Sequence, residues 1–251
     1  MKDENRFDGR SSNYSLYRPD YPADLLSVIK LEFNMGDESA IADIGSGTGK
    51  LARLFLENGN KVFCIEPNRE MREAAKKDLS GYPEAVLMDG SAEHTGLPDS
   101  SVEFIVVGQA FHWFDLEAAR EEFKRILTEN GVLILVWNDR VAKSTGINAA
   151  YEEICRKYSE GYHSSGSTGL SNDDIVGFFG HEVRKFSLPN PQEMNLEALK
   201  GRYFSAPYAM ASSNPKYGKL LKAFDKAFKE NKKGKWVRME HETKVFAGQM
   251  V

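Results

Sequence analysis

The chain has 251 residues, of which 41% are hydrophobic, and it carries a formal net charge of −4 at pH 7. This length is typical of one large domain, or of a domain with an insertion. The weak negative charge gives no overall attraction to nucleic acid or to an anionic membrane, and no apolar window reaches the ~18 residues of a membrane span. The two cysteines, Cys64 and Cys155, form no metal-binding pattern, so we expect no metal site and a cytoplasmic location.

An N-terminal arm precedes the first predicted helix. Residues 7–22 are polar and aromatic and include Tyr14 and Arg18. Such a segment either closes as a lid over a ligand or packs its aromatic side chains irregularly on the body of the protein. A helix is predicted over residues 23–35, because a proline stands at its start and a glycine follows its end.

A glycine-rich turn follows the first predicted strand, residues 41–44. The chain restarts as a helix near Leu51, so the turn presents free backbone N–H groups, and its glycines let a ligand approach closely. The spacing D-x-G-x-G-x-G differs from the dinucleotide fingerprint G-x-G-x-x-G and from the P-loop. The candidate ligand-binding residues of this turn are Asp43, Gly45, Ser46, Gly47 and Gly49.

The second predicted strand, residues 61–65, ends at Glu66 and Pro67. Glu66 stands 21 residues after Gly45, and in doubly wound folds a carboxylate at this place binds ribose hydroxyls. The alternative is a solvated glutamate before a turn. We favour the ribose role, although several nucleotide cofactors contain such a ribose.

Further polar and aromatic residues follow the third and fourth predicted strands, residues 86–88 and 102–107. The carboxyl ends of parallel strands form the ligand crevice of an open sheet, which makes Gln109 a candidate ligand. His112 either assists an acceptor in the crevice or is a packed residue with satisfied hydrogen bonds, and both interpretations stay open. A helix to residue 128 and a fifth strand over 131–137 complete five strand–helix units.

The regular alternation ends near residue 140. A helix is predicted over 147–158, a mobile loop over 161–173 and a sixth strand over 182–188, with broken helices over 195–230. Residues 237–247 alternate between apolar and polar side chains, as an edge strand does. Eight lysines between 216 and 235 are interpreted as the wet face of an amphipathic helix rather than as a nucleic-acid site.

Three motifs resemble the class I S-adenosylmethionine (SAM)-dependent methyltransferases of the methyltransferase type 11 kind. They are the glycine turn, Glu66, and the run Q-A-F-H-W-F at 109–114. The segment Y-x-x-Y-R-P-x-Y-P at 14–22 is similar to the trans-aconitate methyltransferase-like branch of small-molecule enzymes. The resemblance implies a doubly wound, Rossmann-like seven-stranded sheet, mostly parallel with its last strand antiparallel, and a helical cap.

The resemblance also implies the cofactor and its site. SAM, with S-adenosylhomocysteine as the product, would be bound by the glycine-turn residues together with Glu66, Pro67, Ser91, Ala92, Glu93, Gln109, Tyr14 and Arg18. A small-molecule acceptor would contact His112, Trp113, Asn138 and Tyr203, although any of the aromatic residues could equally be core.

The expected reaction is direct in-line displacement of the methyl group by the acceptor. A carboxylate acceptor needs no general base, whereas a hydroxyl would need one, and His112 is the candidate. Two alternatives stay open: an NAD(P)-dependent oxidoreductase, and a SAM-binding protein without turnover.

Three segments are expected along the chain. They are an N-terminal lid (1–36), a SAM-binding core (37–140), and a C-terminal part with the rest of the sheet and a substrate cap (141–251). We expect a monomer or a homodimer, with no nucleic-acid partner and no membrane association.

Overall fold

The computed structural model describes residues 16–162 and 171–251. Seven strands form one sheet in the order β3-β2-β1-β4-β5-β9-β6, and two short strands, β7 and β8, pair separately. The strands are β1 (Ile41–Ile44), β2 (Val62–Ile65), β3 (Ala85–Met88), β4 (Val102–Gly108), β5 (Leu127–Arg140), β6 (Arg184–Pro189), β7 (Gln192–Met194), β8 (Val237–Met239) and β9 (His241–Gly248).

Strands β1 to β5 are parallel, and β9 runs antiparallel to both of its neighbours, β5 and β6. Strand β1 is fully buried and pairs with β2 and β4, because helices cover both faces of the sheet, and all of its residues except Asp43 are apolar. The predicted seven-stranded, mostly parallel sheet with its last strand antiparallel is confirmed.

Eight helices of more than one turn lie within the described residues. They are α1 (Asp24–Phe33), α2 (Lys50–Leu56), α3 (Arg69–Asp78), α4 (Leu116–Ile126), α5 (Gly146–Tyr158), α6 (Asn172–Phe179), α7 (Leu196–Phe204) and α8 (Tyr217–Asn231). Asn68 caps α3 by accepting a hydrogen bond from the Met71 backbone N–H, and Asp115 caps α4 in the same way. These caps fix where both helices leave the carboxyl edge of the sheet.

Three apolar clusters make up the core. One contains residues of α4 and α6, a second contains residues of α1 and α2, and both also include sheet residues. The third joins α5, α7 and α8 with β7 and β8, and contains Tyr151, Tyr203 and Phe224. We refer to this last group of helices and strands as the cap. None of the helices in the described ranges has the length and apolarity needed to cross a membrane.

The C-terminal strand departs from the prediction. The alternating stretch 237–247 was expected to form an edge strand, but it divides into β8 and β9, and β9 lies inside the sheet between β5 and β6. The edge position belongs to β6. An alternation of apolar and polar side chains indicates that one face of a strand is more buried than the other. It does not indicate how many strands pair with that strand. The edge prediction was therefore wrong.

Candidate functional site

The glycine turn between β1 and α2 holds three residues with positive φ. Gly45 has φ +67°, and a Cβ there would lie 2.6 Å from the Cβ of Ala110. Gly49 has φ +81°, and a Cβ there would lie 2.6 Å from Leu79 Cδ1. Both positions therefore require glycine for the local packing as well as for the backbone conformation.

Gly47 differs from the other two glycines. Its φ is +56°, but a Cβ built there would meet no atom within 4 Å. The backbone N–H of Gly47 donates to Glu66 Oε2 at 2.9 Å. The turn thus presents open space at its middle glycine, immediately beside a buried carboxylate.

Glu66 connects the ends of β1 and β2. Its second oxygen, Oε1, accepts from the Asn68 backbone N–H at 2.9 Å, and the side chain is only 9% exposed. The carbonyls of Glu66 and Pro67 both accept from Arg72 Nη1 at 2.7 Å. Each carboxylate oxygen can accept more than one hydrogen bond, so a ligand hydroxyl can share an oxygen of Glu66 with a backbone N–H.

Asp43 is the most buried acid at the site, at 1% exposure. Its Oδ2 accepts from the Ala52 backbone N–H at 3.0 Å, while Oδ1 is buried with no hydrogen-bond partner among the described residues. Burial raises the pKa of Asp43 to about 7, against the hydrogen bond from Ala52 and with a further contribution from the negative charge of Glu66.

The loop after β4 forms the facing wall. Gln109 adopts φ +61°, an uncommon conformation for a residue with a side chain, and its backbone N–H donates to Val136 O at 3.0 Å. Gly108 precedes it, and a Cβ at that glycine would lie 2.4 Å from Tyr21 Oη. Backbone strain of this kind concentrates at functional sites, where the surrounding structure maintains it.

The aromatic run after Gln109 divides between the core and the loop surface. Phe111 is fully buried and packs edge-on against Phe178 at 4.7 Å between ring centroids, and Phe114 is 8% exposed. His112 and Trp113 are half-buried, with ring centroids 4.3 Å apart. Phe111 and Phe114 therefore hold the loop on the core, whereas His112 and Trp113 are partly accessible.

The N-terminal arm connects the sheet with the cap. The Asp20 carboxylate pairs with Lys50 at 2.7 Å, and the Asp20 carbonyl accepts from Asn138 Nδ2 at 3.3 Å. Arg18 Nη2 donates to Ser205 O at 3.3 Å, and a Cβ at Gly201 of α7 would overlap the ring of Tyr17. Tyr14 and the rest of residues 1–15 of the predicted lid lie outside the described residues.

One cleft opens at the carboxyl ends of β1, β4 and β5. Six predicted site residues line it: Arg18, Asp43, Gly45, Ser46, Gln109 and Asn138. The prediction had not included six others: Pro19, Tyr21, Lys50, Leu51, Gly108 and Arg202. Within the described ranges, the other predicted site residues are not part of this lining: Gly47, Gly49, Glu66, Pro67, Ser91, Ala92, Glu93, His112, Trp113 and Tyr203.

Two predicted groups make structural contacts away from the cleft lining. Glu93 Oε1 accepts from the Asp115 backbone N–H at 2.9 Å, which ties the 91–93 loop to the start of α4. Tyr203 is fully buried in the cap, where its hydroxyl lies 2.9 Å from Ser159 Oγ and accepts from the Met210 backbone N–H at 3.1 Å. Asn138 lines the cleft, and its amide also bonds the arm and Thr243.

Arg202 is a charged, cleft-lining residue that the sequence prediction missed. It lies on α7, lines the cleft and is 7% exposed. Burial, together with the positive charge of Arg18, lowers the pKa of Arg202 to about 10. A signal for it was present in the sequence, because positions 199, 202 and 203 share one helix face by their spacing and both flanking residues, Leu199 and Tyr203, are apolar or aromatic.

The cleft and the glycine turn beside it fit a SAM-like ligand in three respects. Gly47 leaves open space, Glu66 lies at the ribose-binding position of a doubly wound fold, and two cleft-lining oxygens, Asp43 Oδ1 and Ser46 Oγ, are buried without hydrogen-bond partners among the described residues. Buried polar atoms ordinarily have partners, so a polar ligand at this place would satisfy them.

A doubly wound sheet with an antiparallel last strand and a glycine turn after β1 defines the class I methyltransferase fold. Residues 42–135 match the family model described as a methyltransferase domain. A Dictyostelium discoideum protein named as a candidate methyltransferase is 32% identical over 211 residues, covering 81% of this chain and 77% of that protein. The chain belongs to this methyltransferase family.

Two other comparisons set the extent of the similarity. An uncharacterised methyltransferase of Schizosaccharomyces pombe is 35% identical over 130 residues, so the match spans about half of each protein, 51% of this chain and 51% of that one. A solved structure from Anaeromyxobacter dehalogenans, named for a type II methyltransferase, has a TM-score of 0.66 at 18% identity, covering 93% of this chain and 98% of that one. This structural likeness concerns the fold.

Proposed function

We propose that the protein is a SAM-dependent methyltransferase acting on a small molecule. The observation that carries the proposal is the glycine turn, where open space at Gly47 adjoins Glu66 and the unsatisfied oxygen of Asp43. Membership of the methyltransferase family supports the same assignment. The arm and α7 contribute to the lining of the cleft, and such a partly enclosed site favours a small acceptor over a macromolecule.

The chemistry that SAM supplies when bound is a methyl group on a positively charged sulfur, open to in-line displacement. The residues of this chain contribute alignment and the exclusion of water rather than a covalent intermediate. Glu66 accepts hydrogen bonds from the ribose, and Arg18 lies at the cleft wall as a partner for the methionine carboxylate. His112 serves as general base if the acceptor carries a hydroxyl or an amine.

Calorimetric titration with SAM, S-adenosylhomocysteine and NAD tests the proposal. We expect the first two to bind and NAD to bind at least tenfold more weakly, because the glycine spacing differs from the dinucleotide fingerprint. Binding of NAD in preference to SAM would favour the oxidoreductase alternative. Transfer of a labelled methyl group to a metabolite collection then separates an enzyme from a binding protein without turnover.

The same proposal includes the partners. We propose a monomer or homodimer without a nucleic-acid partner, since the lysines of α8 lie opposite its buried residues Leu220, Phe224 and Ala227. Sedimentation of the purified protein with and without duplex DNA tests both statements.

A further inference from the structure

Charge is distributed unevenly along the chain. The segment 216–235 contains eight lysines and two acids, a net charge of +6. The rest of the chain contains 25 lysines and arginines against 35 acids, a net charge of −10. A basic segment on an otherwise acidic protein indicates a local attraction to anions, which the net charge of the whole chain does not reveal.

Part of this charge lies along the exposed face of α8. The buried residues Leu220, Phe224 and Ala227 hold the opposite face of the helix in the cap core. Four lysines at spacings of three or four residues share the exposed face, which gives a row of charge about 15 Å long. We refer to these exposed residues as the basic stripe: Lys219, Lys222, Lys226 and Lys229.

A tight turn follows α8 and adds three more lysines. Residues 232–236, with the sequence Lys-Lys-Gly-Lys-Trp, are all exposed. Lys233 N–H donates to Trp236 O at 2.8 Å, and Trp236 N–H donates to Lys233 O at 3.2 Å. Gly234 has φ +62°, the positive value that the first position of such a two-residue turn requires. These hydrogen bonds fix the turn, so it presents three lysines and a tryptophan close together.

Trp236 is unusual among the exposed side chains. In the described parts of the chain, four large hydrophobic side chains are exposed, and Trp236, at 48%, is the aromatic one. Tryptophan is enriched at the membrane–water interface, where its ring lies at the level of the lipid headgroups. An exposed tryptophan within a group of lysines therefore combines the two side chains that favour an anionic lipid surface.

Most lysines of the segment are not neutralised by the protein. Its two acids are already paired, Asp225 with Lys200 at 2.6 Å and Glu230 with Lys226 at 3.9 Å. No carboxylate of the described residues forms an ion pair with the other seven lysines. Their charge is therefore available to an external anionic surface.

The composition of the segment favours a lipid surface over a nucleic acid. All eight of its cations are lysines, and it contains no arginine. Arginine is preferred in nucleic-acid sites because its planar fork binds phosphates and bases with two hydrogen bonds. A lysine is a compact point charge, which is sufficient for attraction to an array of anionic headgroups. Clusters of about four to eight basic residues on an amphipathic helix are typical of such lipid binding.

We propose that the basic stripe and the turn 232–236 bind the surface of a membrane rich in phosphatidylserine or a similar anionic lipid. Trp236 enters the headgroup region. The apolar face of α8 stays in the cap core, so the contact is peripheral, and salt weakens it. The proposal is independent of methyl transfer. It replaces the expectation of no membrane association, which rested on the net charge of the whole chain.

Sedimentation of the whole protein with vesicles tests the proposal. The vesicles contain phosphatidylcholine alone, or phosphatidylcholine with about 30% phosphatidylserine, which supplies the anionic surface. We expect binding to the second kind only, at ~0.1 M salt, and its loss at ~1 M salt, because the screening length falls from ~10 Å to ~3 Å. Duplex and single-stranded DNA are measured in parallel by titration at ~0.1 M salt.

Two triple variants distinguish a local site from a general effect of charge. The first replaces the three lysines of the turn: Lys232→Gln, Lys233→Gln and Lys235→Gln. It should bind about 100-fold more weakly, since each lysine near an anionic surface contributes about fivefold. The second is the control, because it removes the same charge from exposed positions on α3 and α4: Lys76→Gln, Lys77→Gln and Lys124→Gln. It should bind the vesicles as the wild type does.

Trp236 provides a readout that electrostatic attraction alone would not change. Quenching of tryptophan fluorescence by brominated phosphatidylserine vesicles should be clear in the wild type and lost in Trp236→Phe. Trp113 and Trp137 remain in that variant, and they are half-buried and buried, respectively.

Four results would overturn the proposal. They are no binding to the phosphatidylserine vesicles at ~0.1 M salt, an equal loss of binding in the two triple variants, quenching that persists unchanged in Trp236→Phe, and tighter binding to DNA than to the vesicles.

Discussion

Replacing Asp43 by Asn should change how the stability of the protein depends on pH. Asp43 is 1% exposed, and its carboxyl group accepts one hydrogen bond, from the Ala52 backbone N–H at 3.0 Å. An asparagine side-chain oxygen can accept the same hydrogen bond. The substitution therefore removes the titrating group while keeping the contact that joins β1 to α2.

The magnitude follows from the pKa of Asp43, which rises from 3.8 in a model compound to about 7 in the folded protein. A raised carboxyl pKa means that the folded state holds the proton more tightly than the unfolded state does. The contribution to stability is therefore complete below pH ~4 and is lost as the pH rises to ~7. At about 1.4 kcal/mol per pH unit, the loss sums to about 4 kcal/mol.

Urea unfolding of both proteins from pH ~4 to pH ~8 measures this difference. We expect the stability of Asp43→Asn, relative to that of the wild type, to increase as the pH rises across that range, and this difference to become constant above pH ~7. The control is Glu121→Gln, which changes a carboxylate that is 77% exposed. Its unfolding free energy should depend on pH in the same way as that of the wild type. If the unfolding free energies of Asp43→Asn and the wild type changed with pH in the same way, the argument that burial raises the pKa of Asp43 would be refuted.

Three further changes test the site. Gly47→Val should abolish SAM binding measured by calorimetry, yet cost only about 1–3 kcal/mol of stability from backbone strain, because its Cβ meets no protein atom within 4 Å. Glu66→Ala should weaken SAM and S-adenosylhomocysteine equally, by about 1.5–3 kcal/mol, and a loss for one ligand alone would contradict the ribose role. His112→Ala should slow transfer to a hydroxyl or amine acceptor about 10²–10⁴-fold in single-turnover assays; an unchanged rate would remove His112 as the base.

The first half of the fold could be predicted because each strand is short, apolar and followed by glycine or polar residues. In this part of the chain the local pattern of apolar and polar residues was sufficient to predict the sheet, since parallel strands alternate with helices in chain order. The position of β9 could not be obtained in this way, because pairing with β5 and β6 joins segments that are distant in sequence. The three-residue strands β7 and β8 are too short to show the alternation of apolar and polar side chains that predicts a strand.

The cleft was predicted in part for the same reason. Asp43 lies near the carboxyl end of β1, and Gly45, Ser46 and Gln109 follow strand ends; the topology of an open sheet places strand ends together. Arg202 comes from a cap helix whose position depends on packing rather than on strand order. The spacing of Arg202 to Leu199 and Tyr203 places it on an apolar helix face, but an arginine in a helix is ordinarily exposed, so this signal alone does not predict that Arg202 is buried at the cleft.

The location of β9 has a consequence for synthesis of the chain. Arg140 at the end of β5 pairs with His241, 101 residues further along. At translation rates of about 5–20 residues per second, a ribosome needs roughly 5–20 s to make that interval. During this time the edge of β5 that later pairs with β9, around the apolar residue Ile134, has no neighbouring strand. Association of two nascent chains through that edge then competes with completion of the sheet.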